Sequence, residues 1–505
     1  MPDYMFLLES RLSPEQRAAM LRVQELAAAL GFNVYLTGGT VRDLITGASL
    51  RDLDFTIEGN PSKVARELEK GGAQIVFEDE KTRHVEIIFA GDCDGSIAAA
   101  RDDYYVRPGT RPEIRWSTIM EDLRRRDFSL NAIAISLNPA SRGLLLDPTN
   151  GLSDVERGEV RALSIHSFTN QPVRLLRAVR YASRMGFKLE PRTQEWFALA
   201  LERDLQHTIA PEDAGEELRN LAREERPAPV LKALENHEIL DALHPLLAKK
   251  HPDYDAIARL TKVREDLLMA GLRPRLANAM TLAILGRLKD REQSSLLSKL
   301  GFRSAEAEAI LDLEDAALKA QRELAGRRAS APIDAYRFLE KLPLEQMAYL
   351  LAESSNSKAL SKIRAYVQKW RPVRAALPTA ITELESIGMP RGPKFDAVIE
   401  QLFAAQLSGK GKTHEDRVKI LRRLSGIKEP PKKKAEEKKK KSGKAAAKRG
   451  AAVQAAHRAR AAAVSQRAAK AAPISPHSAK GKPVPAHVRA KGASPHGAKK
   501  SAKQR

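Results

Sequence analysis

The 505-residue sequence predicts an α/β domain followed by an all-α region and a disordered basic tail. Up to about Pro148, strand-like runs such as VYLTGG and LDFTIEG alternate with segments of helical period such as PEQRAAMLRVQELAAAL. From Pro172 to about Gly426, apolar residues recur at three- and four-residue spacing, which is typical of amphipathic helices. After Ile427 large apolar residues almost disappear, so the remaining segment cannot build a core.

A chain of this length exceeds what one hydrophobic core supports, so we expect several domains. The change from alternating to purely helical patterning falls near residue 150, and Pro-rich punctuation follows near residue 226. The predicted domains are an α/β head over 1–150, a helical neck over 151–225, a helical body and tail domain over 226–427, and the disordered extension over 428–505.

Composition limits the classes of protein that fit. The single cysteine, Cys93, excludes a disulfide framework and is consistent with a reducing compartment. The first residues, MPDYMFLLESRLSPEQ, lack the basic start and apolar run of a signal peptide, and no stretch is apolar for long enough to span a bilayer. We therefore expect a cytoplasmic protein without a membrane partner.

The net charge of +22 is concentrated at the C-terminal end. Residues 428–505 hold 23 of the 86 basic residues and 3 of the 64 acidic ones, a net charge of +20 that leaves +2 for residues 1–427. A Lys-rich arm of this kind is attracted to phosphate backbones without sequence preference. Non-specific contact with RNA is the favoured interpretation, and a merely solubilising tail is the alternative.

The segment RDLDFTIEG places two acidic side chains on one strand. Because side chains alternate along a strand, Asp52 and Asp54 point to the same face as Thr56, about 7 Å apart. The intervening side chains point into the core: Leu53, Phe55 and Ile57. Two carboxylates this close repel each other unless a cation lies between them, which suggests a metal site.

Fifteen residues upstream, VYLTGGTVRDLITG indicates a strand, a glycine turn and a helix. The backbone N–H groups of Gly38 and Gly39 then point outward where the helix begins. This geometry suits a phosphate group, although a Gly-Gly pair alone is more often only a turn.

The complete string, G-G-x-V-R-D followed by D-x-D, resembles the opening signature of the nucleotidyltransferase superfamily, in the branch of class II CCA-adding enzymes and poly(A) polymerases. Three later stretches resemble that branch in the same order: EDLRRRDFSLNAIAI over 121–135, LLDPTNGLSDVERGEVR over 145–161, and PVRLLRAVRYASRMGF over 172–187. The resemblance covers roughly residues 30–245.

The resemblance implies a nucleotidyltransferase head with helical neck, body and tail domains, and a reaction that uses two Mg²⁺ ions. It implies these metal ligands and catalytic carboxylates: Asp52 and Asp54 as ligands, with Glu86 as the third carboxylate. It implies these nucleotide-binding residues: Gly38, Gly39, Arg42, Arg126, Asp127, Asn131, Gln171, Arg174, Arg177 and Arg180. The glycine turn and Arg42 would hold the triphosphate, and Arg126, Asp127 and Asn131 the ribose.

The helix over 172–187 would select the base. A helical projection groups its arginines on one third of the circumference: Arg174, Arg177, Arg180 and Arg184. A solvated arginine face is the alternative. The family pattern has Glu-Asp before this helix, whereas this chain has Asn170 and Gln171. The Gln171 amide can accept from the amino group of A or C and donate to the adjacent ring nitrogen.

The resemblance implies tRNA, CTP and ATP as partners, and template-independent addition of C and/or A to the 3′ end of tRNA. The segment RDDYYVRPGTRPEIRWS resembles the longer flexible loop of CCA- and A-adding enzymes, and no poly(A) polymerase signature follows the second strand. A-only addition and polyadenylation remain alternatives. The alternative from a different functional class is an RNA-binding homologue that has lost its catalytic activity.

Overall fold

The computed structural model describes residues 3–91, 93–107 and 112–427, and Met1–Ile427 forms one compact unit. The predicted α/β domain followed by a helical region is confirmed. The tail predicted over 428–505 lies outside the described residues. Among the helices that are described, none combines the length and apolar character needed to cross a membrane.

The strands lie mainly in the first 150 residues. Those described are β1 Asn33–Thr37, β2 Leu53–Glu58, β3 Gln74–Asp79, β4 His84–Phe89, β5 Cys93–Ala99, β6 Arg101–Tyr104, β7 Glu113–Trp116, β8 Ala134–Ser136, β9 Leu145–Leu146, β10 Glu159–Val160 and β11 Lys188–Leu189. Seven form one sheet in the order β3-β4-β5-β2-β1-β8-β9, in which only the β2–β5 pair is parallel.

Helices in the first half are α1 Tyr4–Arg11, α2 Pro14–Ala29, α3 Gly38–Thr46, α4 Pro61–Lys70, α5 Ile119–Arg125, α6 Gly151–Arg157, α7 Ser167–Asn170, α8 Arg174–Met185, α9 Pro191–Glu202, α10 Pro211–Arg223, α11 Pro227–Asn236 and α12 Pro245–Lys250. Those that follow are α13 Tyr254–Met269, α14 Ala277–Leu285, α15 Asp290–Lys299, α16 Ser304–Leu311, α17 Leu313–Ala325, α18 Pro332–Lys341, α19 Leu344–Glu353, α20 Ser357–Ala365, α21 Arg371–Ala375, α22 Leu377–Ser386, α23 Pro393–Leu407 and α24 His414–Ser425.

Local sequence explains how these elements begin and pack. Helix α2 starts at a capping box, in which Ser13 and Gln16 satisfy each other's backbone N–H groups. On β2, Leu53, Phe55 and Ile57 are at most 1% exposed and form part of the core beneath the sheet. A second core runs through the helices and includes Phe128 and Leu130 from the end of the α/β region. The opposite face of the sheet is partly covered by helix α5, where Tyr35 and Ala134 pack against Ile119 and Leu123.

Two parts of the fold differ from the predicted elements. The segment 101–117, predicted as a flexible loop, contains an antiparallel ribbon of β6 and β7, with residues 108–111 outside the described part. Strand β11 pairs with β10 within the region predicted to be wholly helical. Helix α5 ends at Arg125, and a 3₁₀ turn over Ser129–Asn131 follows the RRDF segment.

Candidate active site

Asp54 is the second residue of β2 and alternates with the core residues Leu53 and Phe55, whereas Asp52 is exposed and directly precedes the strand. A single hydroxyl fixes their backbone: Thr40 donates to the carbonyl of Asp52 (3.0 Å) and accepts from the N–H of Asp54 (2.7 Å). The Asp54 carboxylate also accepts a hydrogen bond from Ser96 Oγ on β5 (2.9 Å). Thr40 lies in the first turn of α3, so the glycine turn and the carboxylate pair form one unit.

The glycine turn brings helix α3 close to Asp54. Gly38 has φ of +60°, a conformation that a residue with a side chain adopts at a cost of about 1–2 kcal/mol. A Cβ atom on Gly39 would lie 3.1 Å from Asp54 Oδ2, and one on Gly38 would lie 3.3 Å from Arg126 Nη1. A side chain at either position would therefore force Arg126 or Asp54 to shift slightly beside the helix N-terminus.

The surroundings of the Asp54 carboxylate disfavour its charged form. Burial, and then the charge of Asp52, raise the pKa of Asp54, while the Ser96 hydrogen bond only partly offsets them. Within the described ranges neither aspartate forms an ion pair with a Lys, Arg or His. Carboxylate oxygens that share one face and lack a cationic partner are a donor set that fits a divalent cation.

Glu86 lies on the same face of the sheet but farther from the pair. Ser96 on β5 is the register partner of both Asp54 on β2 and Glu86 on β4, so Glu86 is two strands from Asp54, about 10 Å away. In the part of the chain that is described, no three His, Cys, Asp or Glu side chains are grouped closely enough to hold one metal ion. The structure therefore does not bring Glu86 into one cluster with Asp52 and Asp54.

The residues predicted to hold triphosphate and ribose form one buried network. Arg42 is 3% exposed and donates to Asn131 Oδ1 (2.9 Å) and to Asp43 (2.9 Å). Asn131 Nδ2 in turn donates to Asp127 Oδ1 (3.0 Å). The expected contact between Asp127 and Asn131 thus forms through a 3₁₀ turn rather than an α-helix. Burial alone would raise the pKa of Asp127, but nearby arginines outweigh it and the pKa is lowered.

Arg126 links this network to the sheet. Its guanidinium donates to Thr56 Oγ1 (3.1 Å) and to the carbonyl of Asn131 (3.1 Å), and it pairs with buried Asp122 (2.8 Å). Thr56 is two residues beyond Asp54 on the same face. Arg126 is therefore held by three separate anchors beside the glycine turn, and little freedom remains for it to move.

At the start of helix α8, Gln171 and Arg174 are joined side by side. Arg174 Nε donates to Gln171 Oε1 (2.8 Å), while its other nitrogens donate to Ser167 Oγ (2.8 Å) and to the carbonyl of Arg125 (3.2 Å). The Gln171 side chain is partly exposed, and its amide is oriented by the bond from Arg174. The pair lies next to the RRDF segment through the contact with Arg125.

Farther along α8, the arginines pack against α10 instead of facing an open cleft. Arg177 Nε and Arg180 Nε donate to the carboxylate of Glu217 (2.9 and 2.8 Å), and Arg180 also pairs with Glu224 (3.2 Å). Arg180 is 6% exposed and Glu217 is 1% exposed. Arg184 pairs with Asp43 on α3 (2.8 Å). The arginines of α8 therefore form neither a solvated face nor a basic face that is free to bind a ligand.

The sequence interpretation missed four side chains that hold the site together. Thr40 and Asp43 stand inside the quoted G-G-T-V-R-D string, so the motif contains the signal for both. Glu217 and Glu224 are separated from their arginine partners by 37 to 44 residues, and no local pattern indicates them. Only their burial in the structure indicates that they pair with arginines, because a buried carboxylate needs a charged partner.

The sequence of this chain is similar to those of known proteins. The model of the poly A polymerase head domain matches residues 34–161. The A-adding tRNA nucleotidyltransferase of Halalkalibacterium halodurans is 29% identical over 427 residues, covering 84% of this chain and 96% of that protein. The enzyme of the same name from Geobacter sulfurreducens is 27% identical over 427 residues, covering 83% of this chain and 48% of that protein.

The chain therefore spans about half the length of the Geobacter relative and nearly the whole of the Halalkalibacterium one. A solved structure of a CCA-adding enzyme in its apo form II superimposes with a TM-score of 0.45 at 22% identity, covering 83% of this chain and 98% of that one. The head-domain match and the two relatives make this chain similar to the class II CCA-adding enzyme family of tRNA nucleotidyltransferases and poly(A) polymerases.

Proposed function

We propose that this protein adds nucleotides, without a template, to the 3′ end of tRNA, using ATP and CTP as donors. One observation carries the proposal: Thr40 pins the Asp52 and Asp54 backbone beside a glycine turn at a helix N-terminus. This places a carboxylate pair within reach of a triphosphate bound at the turn. A nucleotidyl transfer needs both components next to each other.

In this proposal Asp52 and Asp54 hold Mg²⁺, and Glu86 acts from β4, two strands away from Asp54, as a third carboxylate. The ions would activate the attacking 3′-OH and neutralise the charge of the departing pyrophosphate. The aspartates fit this role because they share one face and have no cationic partner among the described residues. Divalent metals are in general use across this family.

The remaining residues of the site would bind and orient the nucleotide. The N–H groups of Gly38 and Gly39 would donate hydrogen bonds to the triphosphate oxygens, with Arg42 and Arg126 supplying positive charge at fixed positions. Asp127 and Asn131 would hydrogen-bond the ribose, so that the 2′-OH distinguishes ribonucleotides from deoxyribonucleotides. Because these groups are already hydrogen-bonded to each other, the site is largely preorganised.

Base selection would rest on Gln171 and Arg174. The Gln171 amide has one oxygen lone pair and its N–H groups left for a base edge after accepting from Arg174. Arg177 would complete the base-binding side chains, whereas Arg180 would support them through Glu217. Both relatives described above are A-adding enzymes, which favours the addition of A here; addition of C as well is the second possibility.

We further propose that the catalytic head corresponds to residues 1–150, the base-selecting neck to 151–225, and the tRNA-binding body and tail domain to 226–427. Arg174 on α8 contacts Arg125 on α5, so base selection and catalysis meet at the first of these boundaries. The basic extension over 428–505 would add non-specific attraction to RNA.

The test is incorporation by the purified protein with Mg²⁺ and one labelled nucleotide at a time. We would supply tRNA that lacks its 3′ end entirely, tRNA that ends in CC, and an unrelated RNA. We expect labelled AMP to be incorporated into tRNA that ends in CC. This incorporation should be lost in Asp52→Asn and retained in Glu80→Ala. Glu80 is a matched control because it is an exposed acid.

The other outcomes separate the alternatives. Labelled CMP on the shortest tRNA would extend the proposal to complete CCA addition. Long A tracts on the unrelated RNA would favour polyadenylation. Binding of tRNA without any incorporation, in both the unmodified protein and Asp52→Asn, would show a lapsed RNA-binding homologue and overturn the proposal.

A further inference from the structure

An open cavity of about 440 Å³ lies beside the segment that leads into the aspartate strand. It is lined by residues 11–13 and 47–50, by Gln16 and by Arg273. Among the described residues, this lining includes two guanidinium groups, those of Arg11 and Arg273, and no carboxylate. A cleft lined by charge of one sign attracts ligands of the opposite sign. The lining therefore favours an anionic ligand.

Both arginines have N–H groups available for such a ligand. Arg273 is exposed and forms no hydrogen bond or ion pair with any described residue, and the exposed acid Glu15 lies near it without pairing. Arg11 donates to the carbonyls of Leu44 (3.4 Å) and Ala48 (3.5 Å), and both of these bonds are longer than usual. Each guanidinium carries five N–H donors, so most of them are unused.

The wall formed by residues 47–50 is fixed before any ligand arrives. Gln16 is 5% exposed, and its Nε2 donates to the carbonyl of Leu50 (3.0 Å). Ser49 Oγ donates to Glu225 Oε1 just beyond α10 (3.1 Å). A wall that is already ordered adds little entropic cost to binding.

The opposite wall is held against the catalytic strands. Arg275, two residues after Arg273 in the loop between α13 and α14, pairs with Asp94 on β5 (3.0 Å). Asp94 stands two residues before Ser96 on the same face of that strand, and Ser96 Oγ donates to Asp54 (2.9 Å). The loop that carries Arg273 is thereby anchored next to the carboxylate pair.

The cavity is near the aspartates but separate from the glycine turn. Gly38 and Gly47 lie at opposite ends of α3, about 13 Å apart along the helix. Leu50, in contrast, is two residues before Asp52, a distance of at most about 7 Å along the chain. A triphosphate at the glycine turn would therefore leave the cavity open to a second anionic substrate.

We propose that this cavity binds the backbone phosphates of the last two nucleotides of the RNA 3′ end, through Arg11 and Arg273. The inference rests on the proposed function, because it assumes that the RNA 3′-OH lies at Asp52 and Asp54. The terminal phosphate and the attacking 3′-OH belong to the same nucleotide, so this phosphate has to lie close to the carboxylates. Guanidinium groups match the charge and the acceptor geometry of a phosphate.

The test compares Arg11→Gln and Arg273→Gln with Arg287→Gln as the matched control. Arg287 is an exposed arginine that directly follows α14 and does not line the cavity. Fluorescence anisotropy gives the Kd for an acceptor-stem RNA ending in CC at several salt concentrations. A second RNA carries neutral methylphosphonates at its last two phosphates, and a third carries them at its 5′ end. The Kd values for ATP and for inorganic pyrophosphate are measured by calorimetry.

We expect the Kd for the first RNA to rise about 3- to 10-fold in Arg11→Gln and in Arg273→Gln, through the loss of one charged contact. The slope of log Kd against log salt should fall by about 0.7 for each lost phosphate contact. The RNA with a neutral 3′ end should bind the unmodified protein more weakly, and Arg273→Gln should add no further loss. The RNA with a neutral 5′ end should keep the full effect of Arg273→Gln.

Arg287→Gln is expected to match the unmodified protein, and the melting temperature of Arg273→Gln without RNA should be unchanged. Equal RNA affinities of Arg273→Gln and Arg287→Gln would overturn the inference. So would an equal loss on the normal RNA and on the RNA with a neutral 3′ end. A rise in Kd for ATP or pyrophosphate without one for RNA would show that the nucleotide supplies the phosphate instead.

Failure of this inference differs from failure of the proposed function. An unmodified protein that binds the RNA but incorporates nothing overturns the proposed function, and the comparison of Kd values still decides the role of the cavity. An unmodified protein that incorporates nucleotides with no effect of Arg11→Gln or Arg273→Gln overturns the inference alone. An unmodified protein that binds no RNA overturns both.

Discussion

Glu217→Gln tests how the arginine face of helix α8 is held. The carboxylate is 1% exposed and accepts from Arg177 and Arg180 at 2.8 to 3.2 Å. Removing one partner of a buried ion pair costs about 3–5 kcal/mol, because charged groups are left uncompensated. We expect about 3 kcal/mol, the lower end, since Arg180 keeps Glu224 as a partner.

The assay is thermal unfolding followed by circular dichroism at several pH values. A loss of about 3 kcal/mol lowers the midpoint by roughly 3 °C in a compact unit that spans Met1–Ile427. The charges of Arg180 and Arg177 outweigh burial and lower the pKa of Glu217 in the folded protein. Its stabilising effect is therefore complete above the unfolded pKa and is lost as the pH falls below about 4.

Glu216→Gln is the control, because Glu216 is exposed and lies 3.7 Å from Arg177. An exposed pair of this kind contributes about 0–1 kcal/mol. We expect the two variants to differ clearly at pH 7 and to converge in acid. If Glu217→Gln and Glu216→Gln unfold at the same temperature at pH 7, the arginines of α8 are not held in place by α10.

Three further predictions follow from the same geometry. Asp54→Asn removes the repulsion by Asp52 and a buried charge, so the metal-free protein should melt at the same or a higher temperature while incorporation falls by at least about 10³-fold. Gly39→Ala places a Cβ atom 3.1 Å from Asp54 Oδ2, so kcat/KM should fall about 10- to 100-fold in steady-state assays, with an unchanged far-ultraviolet spectrum. Deletion of residues 428–505 should weaken RNA affinity most at low salt; equal affinities in a salt titration of binding would contradict a role for that segment.

Local alternation predicted the catalytic strand well, because its cause is local. The period of two on RDLDFTIEG predicted that three apolar side chains point into the core, and Leu53, Phe55 and Ile57 are buried there as expected. The glycine turn was predictable for the same reason, since a strand, a turn and a helix follow each other within 14 residues. Thr40, whose hydroxyl connects the glycine turn to the aspartates, stands in the same string, but the sequence interpretation gave it no role.

Contacts between distant segments could not be predicted in this way. The helical projection grouped Arg174, Arg177, Arg180 and Arg184 correctly, but it contains no information on which helix covers them. Glu217 on α10 and Glu224 directly after it neutralise that face, and this depends on tertiary packing. The distance of Glu86 from Asp54 likewise depends on strand order, because β5 inserts between β4 and β2.

The ribbon of β6 and β7 is a case in which the local sequence led to a wrong expectation. Pro and Gly at its tip favour a loop, yet the flanking residues pair in register from Arg101–Trp116 to Tyr104–Glu113. Cation–π contacts from Arg83 to Trp116 and from Arg115 to Tyr104 stabilise it. Such contacts between residues of separate strands have no signature in a single sequence.

The central claim is that Asp52 and Asp54 together hold a divalent cation next to a triphosphate at the glycine turn. Crystals soaked with Mn²⁺ and a non-hydrolysable ATP analogue, measured for anomalous scattering, test it most directly. The account predicts a peak within coordination distance of both carboxylates, with the triphosphate against Gly38 and Gly39. A peak elsewhere, with the two carboxylates free of metal while the nucleotide is bound, would contradict it.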